Sequence, residues 1–163
     1  MVLQDQSQRM AAEQEVRRLA FYDALTGLPN RRLLADRLQQ ALAVAQRKAH
    51  FGGVVLLDID NFKAFNETYG LDQGDLLLQS MSQRIRGLLP SGATIARQGG
   101  DDFVLLIEDL GSDSVAAAAR LEQQADRLQG GLIVVVVADL DDGAPRGATQ
   151  FQHPLFGEPA KQA

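Results

Sequence analysis

Gly53-Val54-Val55-Leu56-Leu57-Asp58-Ile59-Asp60 is an apolar run of strand length that ends on carboxylates. Such a run reads as a buried central strand with Asp58 and Asp60 at its C-terminal end. Downstream, residues 61–74 read as a connector punctuated by Gly70 and Gly74. A helix follows from about Asp75, with Leu77, Leu78, Met81, Ile85 and Leu88 on one face, and Pro90-Ser91-Gly92 ends it. Ala93–Arg97 and Phe103–Ile107 are short strands on either side of Gln98-Gly99-Gly100-Asp101-Asp102. A Gly-Gly pair between apolar runs is a hairpin signal. Ser112 or Ser114 then caps a helix carrying Val115, Ala118, Leu121, Ala125 and Leu128, and Leu132–Val137 reads as one more strand. Residues 139–163 have no periodicity and read as loop or disordered tail.

Upstream of the central run, Thr26-Gly27-Leu28-Pro29-Asn30 must interrupt a helix. Gly27 permits positive φ, and Pro29 lacks the N–H donor. Asn30 is a good N-cap for a helix whose Leu34, Leu38, Ala41, Leu42 and Ala45 share a face. Residues 4–22 read as a polar helix, with Leu3, Met10, Val16 and Leu19 along an apolar edge. That helix is either an amphipathic entry helix or the end of a signalling helix joined to an upstream sensor. The order helix, strand, helix, hairpin, helix, strand predicts an α/β or α+β sheet covered by helices.

At 163 residues the chain is of single-domain size. Sixteen Lys+Arg against 21 Asp+Glu leave a net charge of −5, which disfavours a non-specific nucleic-acid binder. The absence of Cys excludes disulfides, thiolate catalysis and Cys-based zinc sites. Only His50 and His153 are present, too few for a His-rich metal site. With no Trp, seven Phe and two Tyr, an aromatic platform for single strands is not expected. The N-terminus lacks the apolar core of a signal peptide. The longest apolar run, Leu132–Ala138, falls far short of the roughly 20 residues that span a bilayer. The expectation is a cytoplasmic domain, or the cytoplasmic part of a membrane-anchored parent, with neither nucleic acid nor membrane as its own partner.

The chemistry concentrates in two acidic sites. If the Gly-Gly hairpin pairs beside the central strand, Asp58 and Asp60 meet Asp101 and Asp102 at one sheet edge. Clustered carboxylates repel unless a cation lies between them. Hard oxygen ligands favour Mg²⁺, which keeps waters and shares its remaining positions with substrate phosphates. That points to metal-assisted phosphoryl or nucleotidyl transfer. The other reading is that Asp at strand ends and turns merely caps backbone donors.

Arg97 followed by Gly99-Gly100-Asp101-Asp102-Phe103 resembles the GGDEF signature of diguanylate cyclases. Two further blocks resemble the same family in the same order. One is Asp23-Ala24-Leu25-Thr26-Gly27-Leu28-Pro29-Asn30-Arg31-Arg32. The other is Leu57-Asp58-Ile59-Asp60-Asn61-Phe62-Lys63-Ala64-Phe65-Asn66 with Tyr69-Gly70 and Gly74-Asp75. The resemblance spans roughly residues 18–130. It implies a palm-like nucleotidyl-cyclase sheet flanked by helices, and the condensation of two GTP into cyclic di-GMP with release of two pyrophosphates. It implies a homodimer in which each protomer holds one GTP.

By the same resemblance, Asp58, the Ile59 carbonyl and Asp101 hold Mg²⁺, with Mn²⁺ as an alternative. Asn66 and Asp75 meet the guanine edge, and Phe62 and Lys63 lie where phosphates bind. Gly99 and Gly100 admit the nucleotide, and Asp102 helps activate the ribose 3′-hydroxyl or holds a second metal. Taken singly, these residues also have plain structural readings: Asn66 and Asp75 as turn and cap, Phe62 and Phe65 as core, Lys63 as a solvated charge.

The chain departs from the family in three places. Asp102 stands where the family has Glu, one methylene longer. Pro90-Ser91-Gly92-Ala93 stands where the family carries the R-x-x-D of product inhibition, so feedback binding of cyclic di-GMP there is not expected. The family's C-terminal helix, with its phosphate-binding Lys and Arg, and its closing strand are unmatched. The implied organisation is a connector helix over 1–20, an incomplete catalytic domain over 21–138 and an unmatched tail over 139–163. An uncovered sheet would make such a domain marginally stable and prone to self-association. The resemblance thus implies a cyclase or, alternatively, a degenerate GGDEF domain acting as a GTP-binding or protein-interaction module.

Overall fold

A computed structural model describes residues 2–128, 131–136 and 148–153. The elements are α1 (Val2–Phe21), α2 (Arg31–Lys48), β1 (Gly53–Asp58), α3 (Phe62–Tyr69), α4 (Leu71–Leu88), β2 (Ala93–Gly99), β3 (Asp102–Ile107), α5 (Ser114–Arg127), β4 (Gly131–Val136) and β5 (Ala148–His153). The strands form one sheet in the order β2-β3-β1-β4-β5, and every neighbouring pair is antiparallel. β1 is the central strand, as expected. The mixed helix-and-sheet class is also as expected.

Period-two alternation along β3 divides the core into two layers. Phe103, Leu105 and Ile107 join Val55, Leu57 and Ile95 against Leu78 and Ile85 of α4 and Ala117, Leu121 and Ala125 of α5. Val104 and Leu106 join Ala96 against Leu34 and Ala41 of α2. β3 is therefore buried from Phe103 to Ile107. β1 is not buried to the same extent. Val55 and Leu57 are buried, but Leu56 is 41% exposed, because α2 packs over β2 and β3. The uninterrupted apolar run at 53–57 thus overstates the burial of the strand's second face.

Local chemistry sets the helix boundaries. Asn30 caps α2, its side-chain oxygen accepting the Arg32 and Leu33 amides at 3.0 and 3.1 Å. The N-cap of α5 is Asp113, not Ser112 or Ser114; its carboxylate accepts the Val115 and Ala116 amides. Three adjacent residues are all good caps, and a carboxylate has the further advantage of facing the positive end of the helix dipole. The connector expected over 61–74 is instead two helices. Gly70, at φ +92°, separates α3 from α4, and α4 begins at Leu71, four residues before Asp75. Gly74 lies inside α4 as a packing residue, not a breaker.

Two expectations about the ends of the chain change. Within 139–163, residues 148–153 are not irregular: they form β5, which pairs with β4 along its whole length. The closing strand expected to be missing is thus replaced by a strand on the β4 edge. Residues 137–147 and 154–163 lie outside the described residues. At the other end, α1 forms as expected, but its apolar edge is largely open to solvent: Leu3, Met10, Val16 and Leu19 are all more than half exposed. Among the described residues no helix is long and apolar enough to cross a membrane.

The layer assignment predicts unequal costs for two leucines on neighbouring strands. Leu105→Ala should cost about 2–5 kcal/mol, because it opens a cavity between the sheet and α4–α5. Leu56→Thr should stay within roughly 1 kcal/mol, since its side chain is already partly hydrated. Urea unfolding of the two variants checks this; equal losses would contradict the open second face.

Candidate functional site

Pairing of β1 with β3 places Asp58 directly opposite Asp102, and the hairpin turn brings in Asp101. Carboxylate oxygens of Asp58, Asp101 and Asp102 lie within 4.8 Å of one another. Asp101 is half-buried, whereas Asp58 and Asp102 are exposed. Asp60 points into solvent two residues beyond Asp58 and is not part of this group. Like charges directly opposite on a strand pair are unfavourable. The consequence falls on Asp58: hydrogen bonding to Asp101, burial, and the negative charges of Asp101, Asp102 and Asp60 push its pKa up from 3.8 to about 7. Asp58 thus favours its protonated form over a range where an ordinary carboxylate is ionised, and a divalent cation would replace that proton.

The donor set suits a hard cation. Three carboxylates converge, and the Ile59 carbonyl, one residue on from Asp58 in the chain, accepts the Phe62 amide at 3.3 Å and keeps a second lone pair. Phe62 and Lys63 begin α3 rather than a loop. The Phe62 side chain packs on the core, while Lys63 is exposed. The Asn61 side chain makes no cap bond to α3, and of the first amides that of Phe62 is taken by the Ile59 carbonyl.

Asn66 and Asp75 lie on adjoining helices, α3 and α4. The Asn66 Oδ1 is buried without a hydrogen-bond partner. It lies against Gly74, where a Cβ would overlap it. A buried acceptor without a donor is costly, and a ligand's N–H would satisfy it. Asp75, next to Gly74, is exposed. Gly99 and Gly100 form an open turn with φ of +150° and +51°, and nothing lies within 4 Å of either Cβ position. The turn thus leaves space for a ligand to approach its backbone.

Two residues gain weight that their sequence positions did not give them. Arg97 Nη1 bonds both carboxylate oxygens of Asp23 at 3.0 Å, while its Nε and Nη2 donate to the Gly100 carbonyl at 2.9 and 2.7 Å. Partial burial opposes ionisation of Asp23. The Thr26 hydroxyl and amide and the Arg97 guanidinium outweigh it and hold the carboxyl below its ordinary range. Seventy-four residues separate the pair, so no local pattern reveals it; the only signal is that both belong to the quoted blocks.

The metal-free protein should lose stability as pH rises from about 4 to about 7. Over that range the folded state holds the Asp58 proton that the unfolded chain has released. Divalent-cation affinity should run the other way, rising by about tenfold per pH unit up to about 7 and then levelling. Mn²⁺ titrations between pH 5.5 and 8.5 read this directly, and a flat profile would contradict the raised pKa of Asp58. Asp58→Asn should remove both dependences.

Comparisons with known proteins identify the family. The family model described as "Diguanylate cyclase, GGDEF domain" matches residues 20–137. MucR of Pseudomonas aeruginosa, a bifunctional diguanylate cyclase/cyclic di-GMP phosphodiesterase, is 52% identical over 97 residues, 60% of this chain and 14% of MucR. The chain thus spans a small part of that relative. Among solved structures, the coiled coil and GGDEF domain of DgcB from Caulobacter crescentus, in complex with c-di-GMP, superposes with a TM-score of 0.66. It has 29% identity and covers 78% of this chain and 63% of that one. The GGDEF domain of TpbB (YfiN) from Pseudomonas aeruginosa gives 0.59 at 33% identity, covering 79% and 71%. The sheet is the palm-like fold of these domains, and the chain belongs to the GGDEF diguanylate cyclase family.

Proposed function

We propose that this domain condenses two GTP into cyclic di-GMP with release of two pyrophosphates. The observation that supports this most is the convergence of Asp58, Asp101 and Asp102 at the β1–β3 edge. Asp58, Asp101 and the Ile59 carbonyl hold Mg²⁺ or Mn²⁺. When bound, the cation would acidify the attacking 3′-hydroxyl and neutralise charge on the triphosphate. Lys63 and the first amides of α3 bind phosphate oxygens. The Asn66 oxygen accepts a guanine N–H, its amide donates to the guanine carbonyl, and Asp75 accepts a second N–H. Asp102 orients the ribose hydroxyl and receives its proton. Gly99 and Gly100 let the hairpin backbone lie along the nucleotide. Each domain binds one GTP, so two copies must face one another for both bonds to form.

A second reading is favoured by Asp102. Its carboxylate stops one methylene short of the family's Glu, and reacting groups need placement to about half an ångström. On that reading the domain binds GTP or a protein partner and turns over weakly or not at all.

Pure protein incubated with GTP and Mg²⁺ should yield cyclic di-GMP by chromatography. No product at high protein concentration, with GTP binding intact, would establish the second reading instead. Asp101→Ala should weaken Mg²⁺-dependent GTP binding about ten- to a hundred-fold, as expected for losing a charged contact worth about 1.5–3 kcal/mol. Gly74→Ala should displace Asn66 and weaken GTP binding while leaving Mn²⁺ uptake unchanged; undiminished GTP affinity would argue against Asn66 as the guanine ligand.

A further inference from the structure

We infer that Asp23 and Arg97 are positioning residues: together they fix the Gly99-Gly100 turn and thereby aim the Asp101 carboxylate. The inference rests on the metal-site reading above and adds to it what holds the site in place.

The turn is poorly determined by its own residues. Gly99 and Gly100 occupy positive φ and have no Cβ to pack, and nothing crowds the space around them. Two consecutive glycines have a large conformational freedom that must be removed for Asp101 to keep one orientation. Among the described residues, the side-chain hydrogen bonds to this turn come from Arg97. Its Nε and Nη2 grip the Gly100 carbonyl as a fork. That carbonyl belongs to the peptide unit whose nitrogen is the Asp101 amide. Fixing it therefore fixes the plane from which the Asp101 side chain departs.

Arg97 is itself held from behind. Its Nη1 bonds both oxygens of Asp23, and the two side chains are only 12% and 20% exposed. Asp23 is locked in turn by the Thr26 amide and hydroxyl at 2.9 and 2.7 Å. The segment that carries Asp23 is fastened at several further points. The Arg97 amide donates to the Pro29 carbonyl, the Asn30 amide to the Phe21 carbonyl and the Asn30 Nδ2 to the Ala20 carbonyl. From α4, Gln79 Nε2 donates to the Leu25 carbonyl and Arg86 Nη2 to the Gly27 carbonyl. A continuous chain of polar contacts therefore runs from the end of α1 through Asp23 and Arg97 to the peptide before Asp101. A fork of this kind needs a planar guanidinium, and an ammonium cannot reproduce it.

Arg97→Lys keeps the charge facing Asp23 and loses the fork. Asp23→Asn keeps the Thr26 cap and loses the ion pair. Both variants of the full chain are compared with the wild type and with Asp101→Ala by Mn²⁺ titration and by site-resolved amide exchange. For Arg97→Lys, exchange at Gly100, Asp101 and Asp102 should rise about tenfold or more, with β1 and the interior of β3 unchanged. Mn²⁺ affinity should fall about tenfold. Asp23→Asn should show the same pattern to a smaller degree. Exchange that rises evenly across the sheet would make the pair a general stabiliser and overturn the inference. So would wild-type Mn²⁺ affinity in both variants while Asp101→Ala loses it. If the wild type takes up no Mn²⁺, or Asp101→Ala binds it as the wild type does, the metal-site reading itself falls, and this inference with it.

Discussion

The register between β1 and β3 is the constraint on which the rest depends. It sets Asp58 against Asp102 and leaves Asp101 at the turn. A slip of one residue would send Asp102 to the other face and break the cluster. The register is held by what flanks it. Leu57 pairs with Phe103, Val55 with Leu105 and Gly53 with Ile107, all in the layer against α4 and α5. The apolar core thus supports a concentration of negative charge that the strand ends would not otherwise favour. Its trace is the raised pKa of Asp58. A metal-free site that holds a proton is ready to exchange it for a cation.

The segment at 20–30 illustrates how one stretch serves packing and chemistry together. Leu28 is fully buried and Leu25 packs on the same core. Between them Gly27 turns the chain at φ +69°, and Asn30 both starts α2 and ties back to α1. Asp23 is the exception to this structural role, since its partner Arg97 reaches the signature turn. Asn66 and Gly74 make a similar pair. A glycine inside α4 costs the helix about 1 kcal/mol relative to alanine. Its missing Cβ makes room for an amide oxygen that the fold leaves unsatisfied.

Much of this was legible in the sequence where the signal is local. The Gly-Gly hairpin, the Asn30 cap and the strand ending at Asp58 each follow from a few adjacent residues. What depended on distant partners was not legible. Gly70 and Gly74 suggested a connector, yet only Gly70 breaks the helix, because Gly74 is accommodated by Asn66 across the α3–α4 junction. The apolar run at 53–57 did not reveal that α2 covers β2 and β3 and leaves Leu56 partly open. Ala148–His153, with Gln between its apolar residues and no long run, carries little strand signal until β4 is there to pair with it. The Asp23–Arg97 contact joins two motif blocks and has no local signature at all.

On the function proposed above, the carboxylate cluster holds a divalent cation between β1 and the hairpin turn. Anomalous scattering from crystals grown with Mn²⁺ and a non-reacting GTP analogue tests it most directly. A peak is expected between the Asp58 and Asp101 carboxylates and the Ile59 carbonyl, at roughly 2.0–2.3 Å from each oxygen. A nucleotide-bound crystal with no peak there, or with its only peak away from these three groups, would contradict it.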